Sequence, residues 1–320
     1  MRIPTFLLIF FVFFSLASGA EDRVTIKNDQ LAVTLATRGA ELQNIVHVPT
    51  GTEYLWQGDP EFWAARSPNM FPVNVRFKDN KFSYKGQEYE MPFLGLIVDA
   101  DMEVVPGEDA TMVRHVLESS AETLKHYPFP FRYEILSMVV GTELIQQYTV
   151  TNEGTETMYF ALGGHPGFRT PLAKGRTRAD YEYVFSQKLT NHRPVILEGM
   201  HRKYQVPFLD NEDRLSLGDS RVPNAGMFLR DHPSRQIGIA LKGEPPYVTV
   251  DLGDFPNTNL WSPPGMPYAC IEPMVSHHDP IWSQLEIDQK SHLVQLAAGD
   301  SRTYIYRIRI HPEQGTKALR

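Results

Sequence analysis

The chain has almost no cysteine: Cys270 is the single one in 320 residues. That excludes an internal disulfide framework, so a chain of this length must be held together by a large apolar core. Cys270 lies in the apolar run Tyr268-Ala269-Cys270-Ile271 and reads as a small buried hydrophobe rather than a nucleophile. Helical periodicity is nearly absent as well. No basic cluster stands out among 31 basic and 38 acidic residues, a formal charge of −7, which argues against nucleic acid and anionic membranes as partners. Repeats, low-complexity tracts and linkers are missing, and the 24 prolines are scattered. Beyond residue 20 no segment is apolar enough to span a bilayer.

The first twenty residues stand apart from the rest. Met1-Arg2 supplies positive charge, Phe6 to Leu16 is an almost unbroken apolar run, and Ser18-Gly19-Ala20 offers small residues before Glu21-Asp22. This order predicts a secretory signal peptide over residues 1–20, with an exported protein, secreted or periplasmic, over residues 21–320. An uncleaved anchor is the alternative, although the run is shorter than the roughly 20 apolar residues a membrane span needs.

What the chain does contain is short alternating segments. Thr303 to Ile310 (TYIYRIRI) puts Tyr304, Tyr306, Ile308 and Ile310 on one face, with Arg307 and Arg309 on the other. Tyr247 to Leu252, Leu144 to Val150 and Met158 to Leu162 are similar β-branched or aromatic runs. A period of two predicts strands. Tyr84-Lys85-Gly86-Gln87 and Asn152-Glu153-Gly154 read as hairpin turns. Many strands without intervening helices predict an all-β fold of antiparallel sheets packed face to face, in one domain over residues 21–320.

Two segments differ from ordinary strand sequence. In Leu162-Gly163-Gly164-His165-Pro166-Gly167-Phe168 a strand ends in paired glycines, presents one histidine and is stopped by proline. Glycines let backbone or ligand approach closely; the plainer reading is a turn in which His165 caps a strand. In Ala269-Cys270-Ile271-Glu272-Pro273-Met274 a carboxylate follows three apolar residues. Burial would raise the pKa of Glu272 unless a partner offset it, and a carboxylate in such a place commonly has a task. A structural Glu paired with an arginine is the alternative.

With these segments in view the chain resembles the aldose 1-epimerase family, in the branch of mutarotase-like proteins and hexose-6-phosphate epimerases. Gly163 to Phe168 matches a GGHPAF-like segment, and Cys270 to Met274 a CIEPW-like one. Tyr127 to Phe131, Asp254-Phe255-Pro256 before Leu260-Trp261, and Arg66-Ser67-Pro68 before Phe71-Pro72 agree in order. So do Arg76 before Lys81-Phe82 and Gly86 to Tyr89, giving a resemblance from about residue 24 to 310. It implies a galactose mutarotase-like β-supersandwich that interconverts the α and β anomers of a free aldose. By resemblance Glu272 takes the proton from the C1 hydroxyl and His165 protonates the ring oxygen. The C1 carbonyl then rotates and the roles reverse on closure. Such a reaction requires no metal, nucleotide or covalent intermediate. An ionised Glu272 and a protonated His165 must coexist, and opposite charges in one pocket favour this.

The resemblance also assigns sugar contacts. Arg76 matches an arginine that hydrogen-bonds sugar hydroxyls, though a sheet-face salt bridge fits it as well. Asp213, in Leu209-Asp210-Asn211-Glu212-Asp213, falls near a sugar-binding aspartate, and Trp261 supplies an aromatic face or packs in the core. One departure stands out. In Met91 to Val98 (MPFLGLIV), Leu94 occupies the place of a second family histidine and Val98 that of an arginine. A pocket contact to the sugar is therefore lost, and recognition of a sugar phosphate by that arginine is not expected. Ser276-His277-His278-Asp279-Pro280 carries metal-ligating groups, but adjacent extended residues point apart. A loop at the pocket rim is the expected reading, with His277 or His278 reaching the sugar instead of the missing histidine. The Leu94 departure leaves a non-catalytic carbohydrate-binding protein on the same fold as the other reading. A sandwich-fold lyase ranks below both, since no segment matches a lyase site.

Overall fold

A computed structural model describes residues 23–319. The signal peptide expected over residues 1–20 lies outside the described residues.

Alternation becomes a large antiparallel sheet of nine strands. In spatial order these are Met200–Ser216, Tyr181–Leu197, Gln236–Leu241, Val248–Asp251, Ser301–Ile310, Glu143–Asn152, Phe131–Val140, Met112–Glu118 and Glu103–Pro106. Its centre follows the period-two pattern closely. Tyr133, Ile135 and Val139 turn inward opposite Val150, Tyr148 and Leu144, while the intervening positions Arg132, Glu134, Leu136 and Met138 are partly exposed. The TYIYRIRI run adds Tyr306, Ile308 and Ile310 to the inner face, and its Arg309 pairs outside with Glu143.

A second sheet packs across this inner face. It runs Met227–Leu229, Asn257–Trp261, Tyr268–Met274, Gly163–Gly164 and Asn69–Met70, and Gly167–Arg169 also pairs with Tyr268–Met274. All seven residues of Tyr268–Met274 are buried, which explains why that stretch lacks alternation: both of its faces are covered. Polar groups tie the layers together. Tyr148 Oη donates to Asn69 Oδ1 at 2.7 Å, Tyr183 Oη donates to the Cys270 carbonyl at 3.0 Å, and Phe71 stacks on Tyr133 with centroids 4.5 Å apart. One hydrophobic cluster joins the two sheets and a four-stranded N-terminal sheet over residues 23–53. Among the described residues the α-helices are two short ones, Thr123–His126 and Pro312–Ala318, neither long enough to cross a membrane.

The two expected hairpins have different outcomes. Lys85 and Gly86 take φ of 52° and 79° between paired Tyr84 and Gln87, which is a two-residue hairpin turn. Asn152-Glu153-Gly154 is not a hairpin. Glu143–Asn152 pairs with its neighbours in the large sheet, whereas Met158–Phe160 pairs with Val294–Leu296. Asn152 makes this crossing by accepting from the Gly154 amide through Oδ1 and donating through Nδ2 to the carbonyls of Glu156 and Leu296.

The paired glycines are required by distance. A Cβ on Gly163 would lie 2.6 Å from the Pro273 carbonyl oxygen, and one on Gly164 would lie 2.7 Å from Tyr306 Oη. We expect Gly163→Ala to force these strands apart and to lower the unfolding free energy by about 1–3 kcal/mol. The check is a denaturant titration; an unchanged midpoint would mean the strands are not held this closely.

Candidate active site

Strand register alone brings three polar residues into line. Gly163 pairs with Met274, and Gly167 pairs with Cys270, so the chain between them carries His165 past Glu272. On the other side of the same strand, Asn259 stands directly opposite Glu272. The result is a row across three strands: Asn259, Glu272, His165. Asn259 Nδ2 donates to Glu272 Oε1 at 2.9 Å, and His165 Nε2 lies 3.5 Å from Glu272 Oε2. That second distance is long for a strong hydrogen bond, so the two groups are close without being locked. The His165 amide donates to the Pro68 carbonyl at 3.1 Å, which fixes the backbone beneath the ring.

The row forms the floor of a cavity of about 780 Å³. Glu272 has no exposed side-chain surface, and His165 retains 12 %. Trp63 and Trp261 flank the imidazole, with centroids 5.0 and 5.6 Å away, and exclude water from it. Five buried polar atoms around this cavity have no hydrogen-bond partner among the described residues: Arg76 Nε, His165 Nδ1, Asn259 Oδ1, Glu272 Oε2 and His278 Nδ1. Buried polar atoms are rarely left so. A ligand rich in hydroxyl groups, each both donor and acceptor, would satisfy them.

Burial acts on both members of the central pair. It pushes Glu272 up to about 8, against the opposing pull of the Asn259 hydrogen bond, and it pushes His165 down to about 4. Each group alone therefore prefers its uncharged form. The sequence reading expected mutual attraction to favour the ionised pair; desolvation opposes that attraction. Between roughly pH 4 and pH 8 the pair holds one exchangeable proton that either partner can carry.

Five of the seven residues singled out by sequence line this cavity: Arg76, His165, Trp261, Glu272 and His278. The Arg76 guanidinium lies 5.0 Å above the Phe93 ring, not in a sheet-face salt bridge. His277 faces a separate cavity, because the chain is extended there and adjacent side chains diverge. Its Nδ1 donates to the His278 carbonyl at 2.7 Å. Asp213 requires a correction. It is exposed on the Met200–Ser216 strand and does not line the cavity. What reaches the cavity is the distant tip of the long hairpin, through Ile196, Glu198 and Gly199, so Glu198 is the acid that this hairpin contributes. The neighbouring Glu212 is occupied by Arg221 at 2.6 Å.

Leu94 does stand in the cavity wall. It is buried with φ of 64°, and its amide donates to the carbonyl of Val75, itself at φ 66°. A β-branched residue in that region is strained, and such strain collects at functional sites. Leu94, Ile196, Val75 and Val98 form one apolar wall backed by Met70, Phe228 and Met274. Sequence reasoning missed Asn259 and Trp63. No local pattern marks Asn259; its role follows from register with Glu272.

His165, Cys270 and Glu272 also place one ligand atom each within 4.8 Å of the others. This donor set suits zinc. Burial and the Glu272 charge hold the Cys270 thiol well above its usual range, so a cation there would have to displace its proton.

A family model described as Aldose 1-epimerase matches residues 22–303, and the chain belongs to that family. Protein LacX, plasmid form, from Lactococcus lactis subsp. lactis is 30 % identical over 260 residues, which span 78 % of this chain and 86 % of the relative. Among solved structures, a galactose mutarotase related enzyme from Lactobacillus acidophilus superposes with a TM-score of 0.85 at 25 % identity, covering 91 % of this chain and 97 % of its own. A galactose mutarotase-like protein from Lactobacillus casei ATCC 334 gives 0.82 at 25 % identity, covering 91 % and 100 %. The fold is galactose mutarotase-like, in keeping with the β-sandwich expected from the alternating strands.

The charge state of Glu272 can be read directly. We expect a protonated carboxyl stretch in the infrared that disappears near pH 8 and is absent from Glu272→Gln. Asn259→Ala should move this titration upward, because the donated hydrogen bond favours the carboxylate. A band already lost by pH 6 would contradict the assignment.

Proposed function

We propose that the chain is an aldose 1-epimerase acting on a free aldose or the reducing end of an oligosaccharide, with Glu272 and His165 as its acid–base pair. The observation that carries this reading is the register that sets the two side chains 3.5 Å apart on a cavity floor ringed by unpartnered polar atoms.

Ring opening needs a proton taken from the C1 hydroxyl and another delivered to the ring oxygen. The pair holds the single proton this requires, and none has to enter from solvent. Transfer within the pair gives a Glu272 carboxylate and a His165 imidazolium. The carboxylate removes the hydroxyl proton and the imidazolium protonates the ring oxygen, breaking its bond to C1. After rotation about C1–C2 the ring oxygen attacks the other face of the carbonyl. Protons then return by the reverse route, leaving both residues unchanged. Asn259 holds the carboxylate orientation, Trp63 and Trp261 exclude water, and His278 and Arg76 offer hydrogen bonds to ring hydroxyls. The amino terminus supports action outside the cytoplasm, and sequencing of the exported protein should begin at Glu21. An intact Met1 on the exported form would sink that part.

Leu94 and its apolar neighbours favour one second reading, a carbohydrate-binding protein without turnover. Polarimetry separates the two. Wild type should accelerate mutarotation of at least one free aldose, and His165→Ala and Glu272→Gln should each lose about 10²–10⁴-fold. His278→Ala should weaken sugar binding, whereas His277→Ala and Asp213→Asn should not. The rate should be greatest between about pH 4 and 8. Below this window both groups are protonated and no base remains; above it both are deprotonated and no acid remains. Sugar binding with no acceleration at any pH would establish the second reading.

A further inference from the structure

A second cavity of about 570 Å³ is lined by other residues of the Tyr181–Leu197 and Met200–Ser216 hairpin, among them Asn191, His192, His201 and Arg202. The two sites share a boundary at one peptide bond, since His278 lines the first and His277 the second.

The charge of this second cavity runs against that of the protein. Arg202, Lys203 and Arg230 line it with one acid, Asp231, in a chain of net charge −7. A concave wall of predominantly one sign focuses its field on whatever enters. The polar atoms lack partners too. His201 is 3 % exposed and its Nε2 has no hydrogen-bond partner among the described residues. The buried Nε of Arg202 has none either, and its guanidinium reaches no nearer than 3.7 Å to the exposed Glu198 carboxylate. His277 stacks between His201 and His292, with centroids 5.1 and 4.6 Å apart and planes within 22°. Parallel rings do not aim their nitrogens at one point, which disfavours a metal ion. The guanidiniums of Arg202 and Arg230 and the ammonium of Lys203 instead supply N–H donors.

We propose that this cavity binds an oxyanion: a sulfate, phosphate or carboxylate group. Planar guanidiniums pair two of its oxygens at a time, and the buried His201 nitrogen supplies a further contact. A neutral sugar would leave the cations unmatched, and a cation would be repelled. Trp282, exposed at the rim beneath Lys203, gives an apolar face for whatever bears the oxyanion. The site takes either a free anion or the acidic group of a uronic acid chain, and it stands independently of the catalytic reading.

Calorimetry with sodium sulfate and with a galacturonic acid disaccharide, each against sodium chloride at equal ionic strength, tests this. Wild type should bind at least one of the two, and Arg230→Gln should weaken that binding tenfold or more while mutarotation of neutral sugars is unchanged. His201→Gln, checked for folding by its unfolding midpoint, should weaken it as well. Sulfate binding identifies a site for free anions, and disaccharide binding alone identifies a glycan subsite. No binding of either, or equal binding in folded Arg230→Gln, overturns the proposal.

Discussion

A carboxyl group with no exposed surface next to an imidazole is the constraint on which the site depends. Taken singly, moving the shared proton from Glu272 to His165 costs on the order of 5 kcal/mol, given the separation between about 8 and about 4. Opposite charges 3.5 Å apart return about 5 kcal/mol at an effective dielectric of about 20. Attraction within the pair thus offsets part of the cost of charging two buried groups. A hydroxyl donating to the carboxylate, or a ring oxygen accepting from the imidazolium, adds about 1.5–3 kcal/mol each and tips the balance toward the reactive form. Burial, which makes each charge costly alone, is what keeps the pair poised.

The rest of the sandwich serves to hold that geometry. Tyr268–Met274 is covered on both faces, so Glu272 sits on a strand with little freedom to move. The glycines at 163 and 164 allow the chain to run close enough for His165 to face it, and Tyr148 and Tyr306 of the large sheet close the space behind. Register, more than any single contact, places the acid and the base.

Much of this was legible in the sequence, and particular residues show why. Alternation in Ser301–Ile310 and Glu143–Asn152 marked the large sheet because each has one buried face. Glu272 drew notice because a carboxylate amid apolar residues is costly, and His165 because glycines bracket it. Asn259 escaped because a cross-strand partner depends on pairing between segments that local pattern does not specify. Asp213 lies away from the cavity for a related reason. The hairpin is long and bulged, and its tip rather than its acidic stretch bends over the cavity. Asn152-Glu153-Gly154 has the composition of a hairpin turn, yet the same residues serve a crossing between sheets.

Glu272→Gln crystals soaked with an accepted aldose test the central claim most directly, because the substitution keeps the shape while removing the base. The anomeric C1 hydroxyl and the ring oxygen should lie within about 3 Å of residue 272 and the His165 ring respectively, or of the same two groups exchanged. A sugar bound with its C1 turned away from this pair, or seated elsewhere on the protein, would contradict the account.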